Sequence, residues 1–389
     1  MKILRIIADS DPRSGGPIEG ARRFGAVWSQ HGHQQDMLTL DAPGEIFLTD
    51  YPGKIISVGP PRSKNPLHIY RYAPRMLPWL RAHAADYDAI IVSGLWRYVA
   101  MGARRALIGG TTPYYVFPHG MLDPWFRNSS PLKHWGKQLS WWLSEGPLVA
   151  GARNVLFTSR EEMMLAENAF WPYRVKGRVV NYGTQDVTGD AESQIAAFRA
   201  VVPALGQRDY LLFLSRIHPK KGCDLLVDAF CAIAGAHPEV DLVVAGPDQS
   251  GLGQELQQRA SDAGFAARIH FPGMLKGDVK TGAFRAAQAL VLPSHQENFG
   301  IVVADAMSCS TPVLISNKVN IWREIDESRA GFVQPDDLSG TKKLLERFLA
   351  LNSAEQLLMG RRARAYFLQH FHADKAAMDL LDVMAAHIP

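Results

Sequence analysis

The chain has 389 residues, which at roughly 150 residues per domain sets a prior of two to three domains and excludes a single small binding module. Hydrophobic residues make up 47% and charged residues 21%, the balance of a folded globular protein, which excludes a disordered or collagen-like chain. A formal net charge of +4 is too small to argue for a duplex-binding surface, but residues 1–190 hold 22 basic against 16 acidic side chains and residues 191–389 hold 20 against 22, so any anionic surface is expected at the first half.

Short apolar or β-branched runs recur from the start of the chain: 2–8, 35–40, 54–59, 89–94, 113–118 and 154–159. Helical patterns such as 18–30 and 96–108 lie between several of them, and this alternation predicts a parallel sheet covered on both faces. The pattern restarts with 210–215, 241–246, 267–271, 287–293, 311–316 and 331–334. Leu225, Leu226, Ala229, Phe230 and Ile233 share one face of a predicted helix whose other side is Asp224 and Asp228. Between the two series, TQDVTGDAESQ reads as a polar linker. Two similar α/β domains in one chain imply a cleft. The opening MKILRIIADSD lacks a signal-peptide core, and no segment reaches the length of a membrane span, so a soluble or peripheral protein is expected. Cys223, Cys231 and Cys309 have neither disulfide nor zinc spacing and read as reduced thiols in a cytosolic protein.

Two segments carry the clearest chemistry. In SRIHPKKG, Arg216 and Lys221 follow a buried strand and Gly222 precedes an amphipathic helix. Loops beyond the carboxyl end of a parallel strand are where such sheets bind ligands, and a diphosphate suits two cations beside a helix N-terminus. By itself the motif reads equally well as an ordinary basic surface loop. In LPSHQENFGIVVADAMSCSTPVLIS, Glu297 sits in a loop and Asp305 about a turn and a half into a helix predicted to start near Phe299. Both carboxylates face one ligand in this reading, with backbone N–H groups of Asn298, Phe299 and Gly300 as donors and the carboxylates as acceptors for sugar diols. A solvated helix position for Asp305 and a capping role for Glu297 are the plainer alternatives.

Together these motifs resemble the retaining GT-B glycosyltransferases of family four, the group 1 class. The family carries G/S-R-x4-K-G after a strand, matched by Ser215, Arg216, Lys221 and Gly222, and E-x7-E, matched by Glu297 with Asp305 in place of the second glutamate. The resemblance implies an α/β fold of two Rossmann-like domains facing across a cleft: 1–188 on the acceptor side, 189–370 binding the nucleotide-sugar donor, and a C-terminal helix at 371–389 returning to the first domain. SGGP at 14–17, with Gly15 and Gly16, resembles the family's glycine loop beside the donor phosphate, although a simple strand-to-helix turn needs the same residues. In VFPHGMLDPW, His119 resembles the histidine that faces the donor sugar, where a lone histidine without that likeness reads as structural. Contacts to the donor base come in this family largely from backbone, here near Gly246, Pro247 and Met274.

What the resemblance implies is transfer of a sugar from a nucleotide-diphosphate sugar to an acceptor hydroxyl with retention at the anomeric carbon. Arg216 and Lys221 meet the charge on the leaving diphosphate, Glu297 orients sugar hydroxyls, Asp305 holds the ribose, and His119 lies at the sugar. No metal ion or other cofactor is called for. Asp9-Ser10-Asp11 has a D-x-D form, but so short an acidic triplet is weak evidence and is rejected as a metal site, and GLGQEL lacks the third small residue of a dinucleotide fingerprint. The expected acceptor is lipid-linked or a glycan in exopolysaccharide, O-antigen or other envelope assembly, met at the inner face of the plasma membrane. Trp125 to Trp142, a basic aromatic stretch, suits an anionic membrane interface as well as a core helix, and nucleic acid is not an expected partner. A nucleotide-sugar 2-epimerase on the same architecture and a non-catalytic sugar-nucleotide binding module are the two rival readings.

Overall fold

The computed structural model describes residues 1–12, 16–45, 47, 51–61, 66–124, 131–248 and 250–387. Two compact units form, one from Met1–Gly183 with Ala373–Pro389 and the other from Thr184–His372. Unit 1 holds seven strands: β1 Lys2–Ile7, β2 Gln34–Thr39, β3 Ile55–Ser57, β4 Ala89–Ser93, β5 Tyr114–Phe117, β6 Val155–Phe157 and β7 Gly177–Val179. They pair in parallel in the order β3-β2-β1-β4-β5-β6-β7. Unit 2 holds β8 Asp209–Leu214, β9 Val240–Ala245, β10 Ile269–Gly273, β11 Ala289–Leu292, β12 Val313–Ser316 and β13 Gly331–Gln334. Their order is β10-β9-β8-β11-β12-β13, again parallel.

Strands such as AIIVS, VDLVVA and ALVL are buried at every residue. A sheet covered on both faces selects such continuous apolar runs over an alternating pattern. The helices used below are α1 Gly16–Gln30, α2 Tyr98–Leu107, α3 Pro131–Ser140, α4 Arg160–Ala166, α5 Ala191–Val201, α6 Cys223–Ile233, α7 Gly277–Ala286, α8 Ile301–Ser308 and α9 Ala373–Ala385. In unit 1, Leu4 and Ile6 of β1 join the core with Val99 and Ala103 of α2, while Ile7 packs with Ile18 and Ala21 of α1. The last helix, α9, lies in unit 1: Trp28 of α1 donates its indole N–H to the Ala377 carbonyl at 2.8 Å.

The segment read as a polar linker, 184–194, is irregular as far as Asp190 and helical only over its last four residues, where α5 begins. Asp190 caps α5 by accepting from Ser193 N, and Phe198 is buried, so the charged surface of 187–199 masks one apolar face. The units divide a few residues before the expected boundary because Thr184 already pairs with His372 and donates its N–H to Phe371 O at 3.0 Å. Strand β7 was not expected. It has three residues, two of them exposed, and offers no apolar run to detect.

Candidate functional site

In unit 2 the strand order reverses between β8 and β11, and their carboxyl ends flank the position where such sheets bind ligands. Beyond β8, His218 accepts a bond from Lys220 N at 3.1 Å and starts the short turn Pro219–Lys221. Gly222 follows with φ of +65° and leads into α6; a Cβ there would stand 2.2 Å from the Pro293 carbonyl oxygen. Only glycine lets this loop close on the end of β11. Lys221 is thereby buried, and its ammonium pairs with the Glu297 carboxylate. Arg216 stands exposed at the end of β8.

Backbone bonds hold Glu297 in place. Its N–H donates to Lys318 O and its carbonyl accepts from Asn320 N, both at 3.0 Å, so the loop beyond β12 supports the loop beyond β11. Asn320 also donates its side-chain N–H to Asn298 Oδ1 at 3.4 Å. Lys318 and Asn320 escaped the sequence reading because NKVN has no diagnostic spacing. Phe299 is buried and packs edge-on against Phe371, ring centroids 5.2 Å apart, so its side chain belongs to the core. Gly300 is the residue before α8, which begins two residues later than expected.

A Cβ at Gly246, whose φ is +146°, would fall 1.7 Å from the Ser215 carbonyl oxygen, and Gly246 N donates to Gly273 O at 2.8 Å. The backbones carrying Arg216, Gly246 and Met274 therefore meet along the ends of β8, β9 and β10. Met274 is exposed. Asp305 has a different partner: Lys280 of α7 holds its carboxylate at 2.6 Å. This pair lines a cavity of about 270 Å³ with Gln194, Asp278 and Cys309. Glu297 and Asp305, read as facing one ligand, thus each have a lysine of their own. Lys280 was missed because it lies on a separate helix with no motif around it.

Unit 1 carries the other expected groups. His119 and Gly120 follow β5 as consecutive left-handed residues, φ +52° and +76°. Gly120 N donates to Glu162 Oε1 at 2.6 Å, while Glu162 Oε2 accepts from Thr158 N and its hydroxyl at 2.7 and 2.6 Å. The imidazole stacks on Phe117 with centroids 4.6 Å apart and planes within 4°. Burial, reinforced by the Arg5 charge, pushes its pKa down to about 3. Gly16 begins α1 and its carbonyl accepts the Tyr182 hydroxyl at 2.6 Å, with the Tyr182 ring 6.1 Å from His119. Gly15, like 125–130 of the aromatic stretch, lies outside the described residues. Asp9 of the acidic triplet pairs with Arg71 at 2.7 Å.

Residues 194–365 match the family model of glycosyl transferases group 1, and residues 15–183 match the glycosyl transferase 4-like domain. The chain belongs to the group 1 glycosyltransferases. Curated relatives of this group 1 chain include a D-inositol 3-phosphate glycosyltransferase of Streptomyces avermitilis, 32% identical over 63% of this chain and 54% of the relative. Another is that of Salinispora tropica, 30% identical over 50% and 42%. The chain spans about half the length of the curated relatives it matches. Among solved structures it resembles Anabaena HepE in complex with UDP and glucose, with TM-score 0.75, 18% identity, and coverage of 99% and 100%. It also resembles sucrose-phosphate synthase of Thermosynechococcus elongatus, at 0.74, 20%, and 99% and 98%. These likenesses identify the fold as GT-B.

Proposed function

We propose that the chain transfers a glycosyl group from a nucleoside-diphosphate sugar to an acceptor hydroxyl, with retention and without a required metal ion. The observation that carries this reading is the pairing of buried Lys221 with partly exposed Glu297 at the switch point of unit 2, between loops that glycine alone allows to close. Departure of the diphosphate concentrates negative charge on its phosphates. Lys221 meets that charge as a point cation and Arg216 as a planar fork. Glu297, held by backbone at both its N–H and carbonyl, accepts bonds from sugar hydroxyls. The bond from the anomeric carbon to the phosphate oxygen breaks as the bond to the acceptor oxygen forms on the same face. The acceptor's proton passes to the leaving phosphate. Lys280 and Asp305 offer a donor and an acceptor to the ribose.

A UDP-sugar is the donor to try first, on the likeness to a fold crystallised with UDP and glucose. The acceptor is an envelope glycan or its lipid-linked precursor at the inner membrane surface. Supporting this, α3 and its continuation expose Leu132, Trp135, Leu139, Trp142 and Leu143 along one helical side, with Lys133 exposed beside them. Trp141 points the other way into the core. The deciding experiment incubates the protein with nucleotide sugars, with and without lipid-linked and soluble acceptors, and reads the product's anomeric configuration by NMR. An α-linked product from an α-linked donor, unaffected by chelator, is expected. Release of nucleotide and an epimerised sugar without acceptor would replace this reading with the epimerase.

A further inference from the structure

Arg5 stands in the middle of β1 among Ile3, Ile6 and Ile7, and it is 1% exposed. Its Nε donates to Gln35 Oε1 at 3.3 Å and its Nη1 to Ser93 Oγ at 3.0 Å, while Nη2 has no partner. Among the described residues no carboxylate pairs with it. A guanidinium buried without a counter-charge opposes folding, and an apolar side chain of similar volume fills such a site more favourably. Its presence in a central strand calls for another reason, and its surroundings supply one. The guanidinium carbon lies 6.0 Å from the centroid of the Phe117 ring, on which the His119 imidazole stacks. His119 Nε2 is closed off from solvent and has no hydrogen-bond partner among the described residues.

Among the described residues, Arg5 on β1 and Tyr182 beyond β7 stand near this ring, and Glu162 on α4 bonds the amide of Gly120 beside it. The Tyr182 hydroxyl is engaged by Gly16 O, and the Glu162 carboxylate by the amides of Gly120 and Thr158.

We propose that Arg5 is a positioning residue for His119: its charge, one aromatic ring away, adds to the burial of the imidazole in keeping it unprotonated throughout the pH range of activity. His119 then meets a substrate as a neutral hydrogen-bonding group and does not carry a proton. The depressed histidine pKa, owed first to burial and second to Arg5, agrees with this geometry. The catalytic consequence rests on the proposed transfer reaction and on His119 lying at its substrate; the charge coupling does not.

The test is NMR titration of isotope-labelled histidines in the full chain between pH 4 and 8, with His119 assigned by His119→Gln. In the parent, His119 should stay neutral throughout. Arg5→Met should raise its protonation constant at least about tenfold, one pKa unit, and Arg5→Lys should restore parental behaviour. Should Arg5→Met fail to fold, Arg5→Gln makes the same comparison with a polar but uncharged side chain. The pH–rate profile of Arg5→Met should gain an acid limb at the new midpoint. An unchanged His119 titration in a folded, uncharged variant would overturn the proposal. A shifted titration with an unmoved pH–rate profile would uphold the coupling and instead remove His119 from the substrate site.

Discussion

Lys221 and Arg216 leave the same loop in different settings, one buried on a carboxylate and the other exposed. Lys221→Ala is expected to lower kcat by about 10² to 10³, the scale of losing one preorganised donor to developing charge. The variant should still fold. Glu297 remains partly exposed, with 22% of its side chain accessible, so water replaces much of what the ammonium supplied. Circular dichroism and steady-state kinetics on one preparation check both halves of this expectation. Arg216→Lys should also be impaired, because an ammonium cannot reproduce a bidentate fork. The spacing of SRIHPKKG made both cations visible in the sequence. Which of them is buried, and on what, depended on a glutamate 76 residues away.

Between elements, the closure of the β8 loop on β11 depends on a missing side chain. Gly222→Ala places a Cβ 2.2 Å from the Pro293 carbonyl and forces a left-handed alanine, so loss of about 1 to 3 kcal/mol of stability is expected. Urea unfolding measures that loss. Donor affinity should fall as well, since Lys221 is the residue just before Gly222. On α3, replacing Trp135 and Leu139 together by Ser removes two exposed apolar anchors without touching the core. Co-sedimentation with anionic vesicles should drop several-fold, while transfer to a soluble acceptor stays at the parental rate. Equal sedimentation of parent and variant would remove α3 as the membrane contact. Basic and aromatic composition marked this stretch in the sequence, but Trp141 and Trp142 are adjacent and only packing separated the buried ring from the exposed one.

For the molecule as a whole, buried titratable groups make unit 1 sensitive to acid. His119 protonates near 6.5 when unfolded and near 3 when folded. Below pH 6.5 the unfolded chain therefore binds a proton that the folded chain refuses. Stability falls with pH across that interval by up to about 1.4 kcal/mol per unit. Asp41 acts in the same direction at lower pH. Burial raises its pKa, but hydrogen bonds from Thr39 and Ser10 with the Arg71 charge outweigh burial and leave it depressed. Its contribution, full above 3.8, is lost as pH falls through the folded value. Melting temperatures should decline from pH 6.5 to 4.5, and His119→Gln should flatten that decline; a parallel decline in the variant would assign it to other groups.

The sequence alone determined the two parallel sheets, the helix faces and the SRIHPKKG loop. Each depends on local periodicity or short spacing: continuous apolar runs make strands buried on both sides, and a glycine beside lysine marks a tight strand-to-helix loop. The linker reading ran four residues too far because the first turn of α5 is polar, and β7 was missed because three residues carry no period. Only the tertiary structure decided that Glu297 pairs with Lys221 and Asp305 with Lys280, that Lys318 and Asn320 brace the loop carrying Glu297, and that Arg5 is buried beside Phe117 and His119. These pairings join residues from different strands and helices, at separations of 25 to 76 residues for the two ion pairs. Sheet order and loop closure set such contacts, and no local pattern encodes them.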